Sequence, residues 1–290
     1  MKKVKILVPI YNDWQSVSKL IDEINKLNID PEYEISIVIV NDASNHDRQD
    51  EDKNLEKINS IKILNMKVNQ GHARCIATGL KYIHEKENFD YIIPMDGDGE
   101  DRPEEIKELI NQIKNSNGKP IVGLRVKRSE SLLFQICYKM HKLITYTFIG
   151  KSIKFGNFTC LPKTTVEKMI NEKATWNSFS GALKKVENDL VSIPSIRGER
   201  YFGPSKMSFY NLIKHSLSII SVFRFNVLKR SLLFFIVYFC IIFQNITLVT
   251  FFPIILLIVL LILIFVISVR ENHKELKNSL QNIQSVDTLK

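Results

Sequence analysis

One uninterrupted apolar run constrains this chain more than any other feature. From Ser231 to Val269, 39 consecutive residues carry no charge, and most of them are Leu, Ile, Phe or Val. A helix rises about 1.5 Å per residue, so a single helix of this length would be about twice as long as the ~30 Å hydrocarbon core of a bilayer. No comparable run precedes it. The pattern argues against a purely soluble protein and against a transporter with many spans.

The middle of the apolar run contains residues that favour a turn. Gln244 and Asn245 are polar, and Pro253 follows them. We therefore expect two transmembrane helices within 230–270, over about 230–246 and 252–270. Lys and Arg flank the run on both sides and are absent from its middle. Because cytoplasmic flanks carry an excess of Lys and Arg, the sequence predicts a multi-pass membrane hairpin with both termini in the cytoplasm.

The charge of the chain points to a membrane surface. Lys and Arg number 40 against 31 Asp and Glu, which gives a net charge of +9. No zinc-finger or RNP motif accompanies this charge, so we expect no nucleic acid partner. The region 205–229 has apolar residues at helical spacing, which suits either an interfacial amphipathic helix or a helix packed on the core. Residues 271–290 are expected to form a cytoplasmic tail.

The first half of the chain alternates strand-like and helix-like segments. This alternation predicts an α/β domain over residues 1–204, with a mainly parallel sheet and helices on both faces. The expected strands are Val4–Pro9, Ile35–Val40, Ile61–Met66, Tyr91–Met95 and Ile121–Leu124, and the expected helices cover about 14–28, 72–86, 103–116 and 131–148. Asp101 stands where it can cap the third of these helices.

A pair of acidic residues follows the fourth expected strand. Asp96-Gly97-Asp98 comes where that strand ends, and open parallel sheets bind ligands beyond the carboxyl ends of their strands. Two carboxylates one residue apart can share Mg²⁺ or Mn²⁺ with diphosphate oxygens. Taken alone, the motif is also compatible with a solvated acidic turn.

Three other strand ends carry polar groups that suit a nucleotide. Pro9-Ile10-Tyr11-Asn12-Asp13 follows the first strand, and Asn41-Asp42-Ala43-Ser44 follows the second. Tyr11 can lie against a nucleobase, and Asp42 can accept from a base or ribose. The segment from Asn69 to Arg74 opens a helix whose N-terminus favours anions, and Arg74 could add charge to a pyrophosphate.

These motifs resemble those of the family 2 glycosyltransferases, which have a GT-A nucleotide-diphospho-sugar transferase fold. The resemblance covers about residues 4–125. Later segments, including Arg197-Gly198-Glu199-Arg200 and Gly203-Pro204-Ser205-Lys206, look most like the polyprenyl-phosphate glycosyltransferases of the dolichyl-phosphate mannose synthase type. Two positions depart from the family pattern: Asn41 replaces the usual Asp, and Asp13 stands where Glu is commoner.

The resemblance implies a role for each motif. By this resemblance, Asp98 and Asp96 would hold the metal, and Asp96 could also contact the ribose. The residues implied for the nucleotide sugar are Pro9, Tyr11, Asp13, Asp42, His72, Arg74 and Asp96.

The motifs expected for a catalytic base are missing. Many family members that glycosylate hydroxyls carry, downstream of the acidic motif, a Glu-Asp pair and a Gln-x-x-Arg-Trp motif, and neither occurs in that part of this sequence. A sugar hydroxyl gains typically 10²–10⁴-fold from a positioned base, whereas a lipid phosphate is already an anion and instead needs cations near it. The candidate cations are Arg125, Arg128, Arg197, Arg200 and Lys206, and Ser205 is a further candidate for binding the phosphate.

The sequence therefore predicts a membrane-anchored, inverting, metal-dependent glycosyltransferase. We expect it to use a nucleoside-diphosphate sugar, with UDP favoured over GDP, and to transfer the sugar to a polyprenyl phosphate. Asp96, Asp98, Arg125 and Arg200 are the expected catalytic residues. Transfer to a hydroxyl of a lipid-linked glycan is the alternative reaction, and a catalytically silent nucleotide-binding scaffold is the alternative class. The sequence does not specify which sugar is transferred or whether the chain forms a homo-oligomer.

Overall fold

The N-terminal half alternates strands and helices, as the sequence predicts. The structure is a computed structural model that describes residues 1–46, 48, 54–127, 143, 145–204 and 208–290. Its first elements are β1 (Lys2–Ile10), α1 (Trp14–Lys26), β2 (Tyr33–Asn41), β3 (Ile58–Met66), α2 (His72–Lys86), β4 (Tyr91–Pro94), α3 (Glu104–Gln112) and β5 (Ile121–Lys127). The helix expected over 131–148 lies mostly outside the described residues.

A second group of elements completes the domain. They are β6 (Thr159–Pro162), α4 (Lys163–Asn171), α5 (Phe179–Val186) and β7 (Val191–Ile196). One eight-stranded sheet, whose last strand β8 (Ile283–Thr288) comes near the end of the chain, has the order β7-β5-β6-β4-β1-β2-β3-β8. β1 pairs in parallel with β2 and β4, and β2 pairs in parallel with β3. The mainly parallel sheet is confirmed, and β6 and β8 are its antiparallel members.

The hydrophobic core lies on both faces of the central strand. Residues from Val4 to Ile10 of β1 are all buried, as expected for a parallel strand covered by helices on two sides. Leu7 packs in one cluster with Leu80 of α2, whereas Ile6 packs in another with Leu20 of α1. This arrangement puts the ends of β1, β2 and β4 at one edge, where their loops can form a common site.

Three helices follow the sheet domain. They are α6 (Phe209–Ser221), α7 (Arg224–Ile242) and α8 (Leu248–Ser268). By length and composition, two helices in this part of the chain could cross a membrane. The turn between α7 and α8 contains Gln244 and Asn245, as predicted. Pro253, however, lies inside α8, because Thr247 and Thr250 form a capping box that begins the helix five residues earlier.

The segment after the hairpin is not a free tail. It forms α9 (His273–Lys277) and β8 (Ile283–Thr288), and β8 pairs antiparallel with β3 at the edge of the sheet. At the base of the hairpin, Arg224 Nη1 lies 2.7 Å from Glu271 Oε2, and the Glu271 side chain is fully buried. Both ends of the hairpin therefore meet at the same domain.

A second buried ion pair joins the sheet to the end of α2. Glu87 Oε2 lies 3.2 Å from Lys5 Nζ of β1, and the two side chains are only 10% and 7% exposed. Lys62 of β3 also donates to Glu87. Burial raises the pKa of Glu87, but the Lys62 hydrogen bond and the Lys5 charge outweigh it and hold this pKa below its ordinary value of 4.5.

We predict that Glu87→Gln lowers the free energy of unfolding by about 3–5 kcal/mol at pH 7, because two cations lose their buried partner. A lowered pKa means that the ion pair stabilises the fold above about pH 4.5 and loses this effect as the pH falls through the folded-state pKa. The gap between variant and wild type should therefore close in acid. Unfolding in detergent between pH 3.5 and 7 measures it.

Glu85→Gln is the matched control, since Glu85 pairs with Lys81 on the exposed side of the same helix. Its effect should stay within ~0.5 kcal/mol. An equal loss in both variants, or a gap that does not change with pH, would contradict the assignment.

Candidate active site

The loops after β1 and β2 are tied to each other. Asn12 and Ala43 have left-handed backbone conformations, with φ of 51° and 55°. The backbone N of Asn12 donates to Ser44 Oγ at 2.9 Å, and the side-chain Oδ1 of Asn12 accepts from the backbone N of Asn45 at 2.9 Å. Tyr11 is 43% exposed beside this junction, while Pro9 is buried in β1. The exposed Tyr11 ring is thus held at the sheet edge by a rigid pair of loops.

Asp42 fixes the start of α2. It is 4% exposed, and its Oδ1 and Oδ2 accept from the backbone N of Gln70 at 2.6 Å and of Gly71 at 2.9 Å. Gly71 has a φ of 91°, which few residues with a side chain adopt. The carboxylate expected to hold a nucleoside therefore also shapes the loop that would surround it.

Asp96 is held from two sides. Its Oδ1 lies 2.8 Å from His72 Nε2 and accepts from Asn157 Nδ2 at 2.9 Å. Burial raises the pKa of Asp96, but the bonds to His72 and Asn157 and the charge of Arg125 hold this pKa well below its usual range. Asp96 is therefore ionised at neutral pH. Sequence reasoning missed Asn157, since a single Asn before β6 carries no recognisable pattern.

Two more carboxylates crowd the same loop. Burial and the Asp96 charge raise the pKa of Asp98 to about 6 and that of Asp101 to about 7. Asp101 is 5% exposed, and its Oδ2 accepts from the backbone N of Asp96 at 2.9 Å. The prediction that Asp101 caps α3 is wrong: Pro103 is the N-cap residue, and no side-chain cap bond is found there in the described chain. Burial beneath the loop directs Asp101 to Asp96 instead.

Three of the predicted arginines lie against this acidic loop. Arg200 joins two carboxylates, since its Nη1 donates to Asp98 and its Nη2 donates to Asp13 Oδ2 at 3.0 Å. Arg197 donates to Glu100. Arg125 Nη2 lies 3.9 Å from Asp101 Oδ1. These contacts gather Asp13, Asp98 and the arginines into one cluster, although their positions in the sequence are far apart.

The segment that carries Arg200 packs closely on the Asp96–Asp98 motif. Tyr201 N donates to the Asp98 carbonyl at 2.8 Å, and Gly198 N donates to the Glu100 carbonyl at 2.8 Å. A Cβ on Gly99, whose φ is 90°, would lie 2.7 Å from the Tyr201 ring. Residues 197–201 therefore form a cover on the acidic loop.

Arg74 does not join this cluster. Its guanidinium lies 5.3 Å from the centre of the Trp176 ring, and its Nη2 lies 3.7 Å from Glu275 Oε2 of α9. Trp176 Nε1 donates to the same Glu275 oxygen at 2.7 Å. The contacts of Arg74 are thus with the segment after the hairpin, and none of them supports the expected contact with a pyrophosphate. Three other expected phosphate ligands, Arg128, Ser205 and Lys206, lie outside the described residues.

The acidic loop has the donor chemistry that a divalent metal requires. Mg²⁺ and Mn²⁺ take oxygen ligands and keep few protein ones, and Asp96 and Asp98 offer carboxylates at a partly exposed edge. No group of three or more His, Cys, Asp or Glu suited to hold a metal is found in the part of the chain that the structure describes. Asp96 and Asp98 therefore fit a metal that would take its remaining ligands from a bound diphosphate.

Comparison with protein families gives a match over most of the sheet domain. The model described as Glycosyl transferase family 2 matches residues 5–174. Among curated proteins, the undecaprenyl-phosphate 4-deoxy-4-formamido-L-arabinose transferases of two Klebsiella pneumoniae strains are 26% identical over 221 residues. The alignment covers 73% of this chain and 65% of each relative, so it spans less than two thirds of their length.

Solved structures share the fold at low sequence identity. Glucosyl-3-phosphoglycerate synthase from Mycobacterium tuberculosis, in complex with Mn²⁺, UDP-glucose and phosphoglyceric acid, has a TM-score of 0.54 at 11% identity, with 79% of each chain covered. S. aureus TarS 1–349 in complex with UDP-GlcNAc has a TM-score of 0.50 at 15% identity, covering 80% of this chain and 70% of that one. The expected GT-A fold is confirmed.

We predict that Asp98→Asn weakens the binding of Mn²⁺ at least 10-fold in the presence of UDP, because the amide removes a charged oxygen ligand from the loop. Electron paramagnetic resonance of free Mn²⁺ measures this affinity. Asp90→Asn is the control, since Asp90 lies at the opposite end of β4 and accepts from Lys3 N. Equal Mn²⁺ affinity in the two variants would refute Asp98 as a metal ligand.

Proposed function

The chain belongs to glycosyl transferase family 2, and on this basis we propose that it transfers a sugar from a nucleoside-diphosphate sugar to a polyprenyl phosphate at a membrane. The observation that carries the proposal is the position of Arg200. This cation touches Asp98 and Asp13, and it lies nine residues before the start of α6, the helix that leads to the apolar hairpin. A lipid phosphate at the membrane surface could thus reach the acidic loop.

Two further findings support a lipid phosphate as the acceptor. The curated relatives are named as undecaprenyl-phosphate transferases, and the chain has two helices that could cross a membrane. The nucleotide is proposed to be UDP, since solved structures of the same fold contain UDP or UDP-sugars. The sugar is not assigned.

The proposed reaction is a single displacement. An oxygen of the acceptor phosphate attacks the anomeric carbon from the side opposite the diphosphate, the bond from that carbon to the diphosphate oxygen breaks, and its electron pair leaves with the nucleoside diphosphate. The configuration at the anomeric carbon is inverted. The attacking oxygen is already anionic, so no side chain needs to remove a proton.

The residues around the acidic loop have distinct tasks in this proposal. Asp96 and Asp98 would hold Mg²⁺ or Mn²⁺, which when bound would neutralise charge on the leaving diphosphate. His72 and Asn157 keep Asp96 oriented and ionised. Arg200 would bind the acceptor phosphate through its planar pair of donors, exchanging its contact with Asp98 for one with the lipid.

A second part of the proposal is that residues 1–204 and 271–290 lie on the same, cytoplasmic side of the membrane. β8 pairs with β3 of the sheet domain, and Glu271 pairs with Arg224 at the start of the first apolar helix. A single crossing would separate these partners by a bilayer. The basic residues on both flanks support the cytoplasmic side.

The reaction is tested with purified protein, a panel of UDP- and GDP-sugars, Mn²⁺ or Mg²⁺, and undecaprenyl phosphate. We expect one sugar to give a glycosyl monophosphate lipid, identified by mass spectrometry, and Asp98→Ala to abolish it while the protein still folds. Transfer only to a glycan hydroxyl would overturn the proposed acceptor. Nucleotide binding with no transfer to any acceptor would favour a silent scaffold.

Topology is tested with reporter fusions placed after Lys290 and at Asn245 in the hairpin turn. We expect the first reporter to be cytoplasmic and the second to be outside, since two crossings return the chain to its starting side. A reporter after Lys290 that lies outside would mean a single crossing, and the hairpin would be wrong.

We predict that Arg200→Ala lowers kcat/KM for the lipid acceptor about 10- to 150-fold, the range expected for a lost charge-assisted contact of about 1.5–3 kcal/mol. Binding of UDP with Mn²⁺ should not weaken, because the variant removes a cation that competes for Asp98. Steady-state kinetics and calorimetric titration measure the two effects.

The control is Arg102→Ala, which removes the same charge beside the same loop, where Arg102 pairs with Glu104. Its acceptor kinetics should stay close to those of wild type. Loss of nucleotide binding with intact acceptor kinetics in Arg200→Ala would move Arg200 to the diphosphate side of the site.

A further inference from the structure

We infer that β8, the strand after the hairpin, positions the nucleotide loops through a hydrogen-bonded chain of side chains that ends at Asp287. The inference rests on the proposed function only in assuming that the donor is a nucleotide. No catalytic role is assigned to β8. The β8 side chains hold Asn65, Asn65 holds Asn41, and Asn41 stabilises the turn that contains Asp42.

The chain of hydrogen bonds is continuous from β8 to this turn. Asn65 Nδ2 donates to Asp287 Oδ2 at 2.8 Å and to Ser285 Oγ at 3.0 Å. Asn65 Oδ1 accepts from Asn41 Nδ2 at 2.9 Å. Asn41 Oδ1 then accepts from the backbone N of Ser44 at 3.0 Å. Each link has ordinary hydrogen-bond geometry.

The carboxylate of Asp287 gives this chain its direction. An ionised carboxylate only accepts hydrogen bonds, whereas an amide side chain both donates and accepts. The NH₂ group of Asn65 must therefore face β8, which leaves its oxygen to face Asn41. The Asn41 amide is fixed in turn, with its oxygen toward Ser44 N. Without the acceptors on β8, the side-chain amides of Asn65 and Asn41 could rotate by about 180° and exchange their N and O positions.

The turn around Ala43, where this series of hydrogen bonds ends, needs such support. Ala43 has a φ of 55°, and a left-handed conformation costs about 1–2 kcal/mol in a residue with a Cβ. Ala43 also has no polar side chain to stabilise the turn. Ser44, whose backbone N is held by Asn41, accepts from Asn12 N through its Oγ. The same turn carries Asp42, which holds the start of α2.

β8 and the turn also share a polar cleft. A cleft of about 300 Å³ has Ala43 and Ser44 on one side and Gln284 and Ser285 on the other. The register of the sheet places Ser285 opposite Asn65. The strand after the hairpin is thus a wall of the region where the nucleotide loops begin, and not only a cover for the edge of β3.

The competing explanation is that β8 and its contacts stabilise the sheet without affecting the site. β3 offers a matched control for this case. Asn59 lies at the opposite end of the strand, and its Nδ2 donates to Glu34 Oε1 at 2.6 Å. A purely structural effect predicts the same consequences for Asn59→Ala and Asn65→Ala.

The test uses the full chain in detergent, with UDP and Mn²⁺ as the probe in calorimetric titration. We expect Asn65→Ala and the double variant Ser285→Ala/Asp287→Ala to weaken UDP binding about 5- to 10-fold, the range for one lost hydrogen bond. Asn59→Ala should stay within twofold of wild type. The donor KM should rise in the first two variants while kcat stays constant.

Two more variants separate positioning from stability. Asp287→Asn keeps an acceptor oxygen and should retain most of the affinity for UDP. The triple variant Asn65→Ala/Ser285→Ala/Asp287→Ala should bind UDP no more weakly than Asn65→Ala, because links in series fail together. Thermal unfolding of each variant reports the change in stability.

Equal UDP affinity in Asn65→Ala and Asn59→Ala, or additive losses in the triple variant, would overturn the inference. The proposal of a polyprenyl phosphate acceptor can be wrong while this inference holds. If the wild-type protein binds UDP but does not glycosylate a polyprenyl phosphate, the UDP affinities of the variants can still be compared. A wild-type protein that binds no nucleotide would overturn both.

Discussion

The site depends on the crowding of three carboxylates at one strand end. Asp96, Asp98 and Asp101 lie within six residues, and burial together with mutual repulsion makes them costly to ionise together. Of the three, Asp96 is the carboxylate whose pKa is held below its ordinary value, by His72, Asn157 and Arg125. The rest of the site can be understood as a set of donors and cations drawn from distant segments to this loop, among them Arg125 and Arg200.

The same electrostatics links the two halves of the proposed reaction. The donor diphosphate and the acceptor phosphate are both anions, so they repel each other unless positive charge lies between them. Arg200 already joins the carboxylate expected to serve the metal to Asp13 on the nucleotide side. A metal at Asp98 would compete with Arg200 for that carboxylate. Donor and acceptor binding would thus be coupled through one guanidinium.

The sequence was sufficient for the first five strands, the strand-end motifs and the apolar hairpin, because these depend on local periodicity and on short spacings. It was insufficient where partners lie far apart. Asn157 and Arg200 reach the acidic loop from 61 and 102 residues away. The wrong assignments have local causes. Capping is expected for Asp101, although burial decides its partner, and the second apolar helix is expected to begin at about residue 252, although the Thr247 cap begins it at Leu248. β8 has a mixed polar sequence that gives no strand signal by itself.

The pairing of β8 with β3 has a consequence for biogenesis. The ribosome makes β3 more than 200 residues before its neighbour, and the apolar hairpin emerges between them. Until β8 has been synthesised, after both apolar helices, the edge of β3 remains unpaired. The sheet can therefore be completed only after the whole apolar hairpin has been made. A nascent domain released into the cytosol without its hairpin would expose this edge and would be open to aggregation or proteolysis.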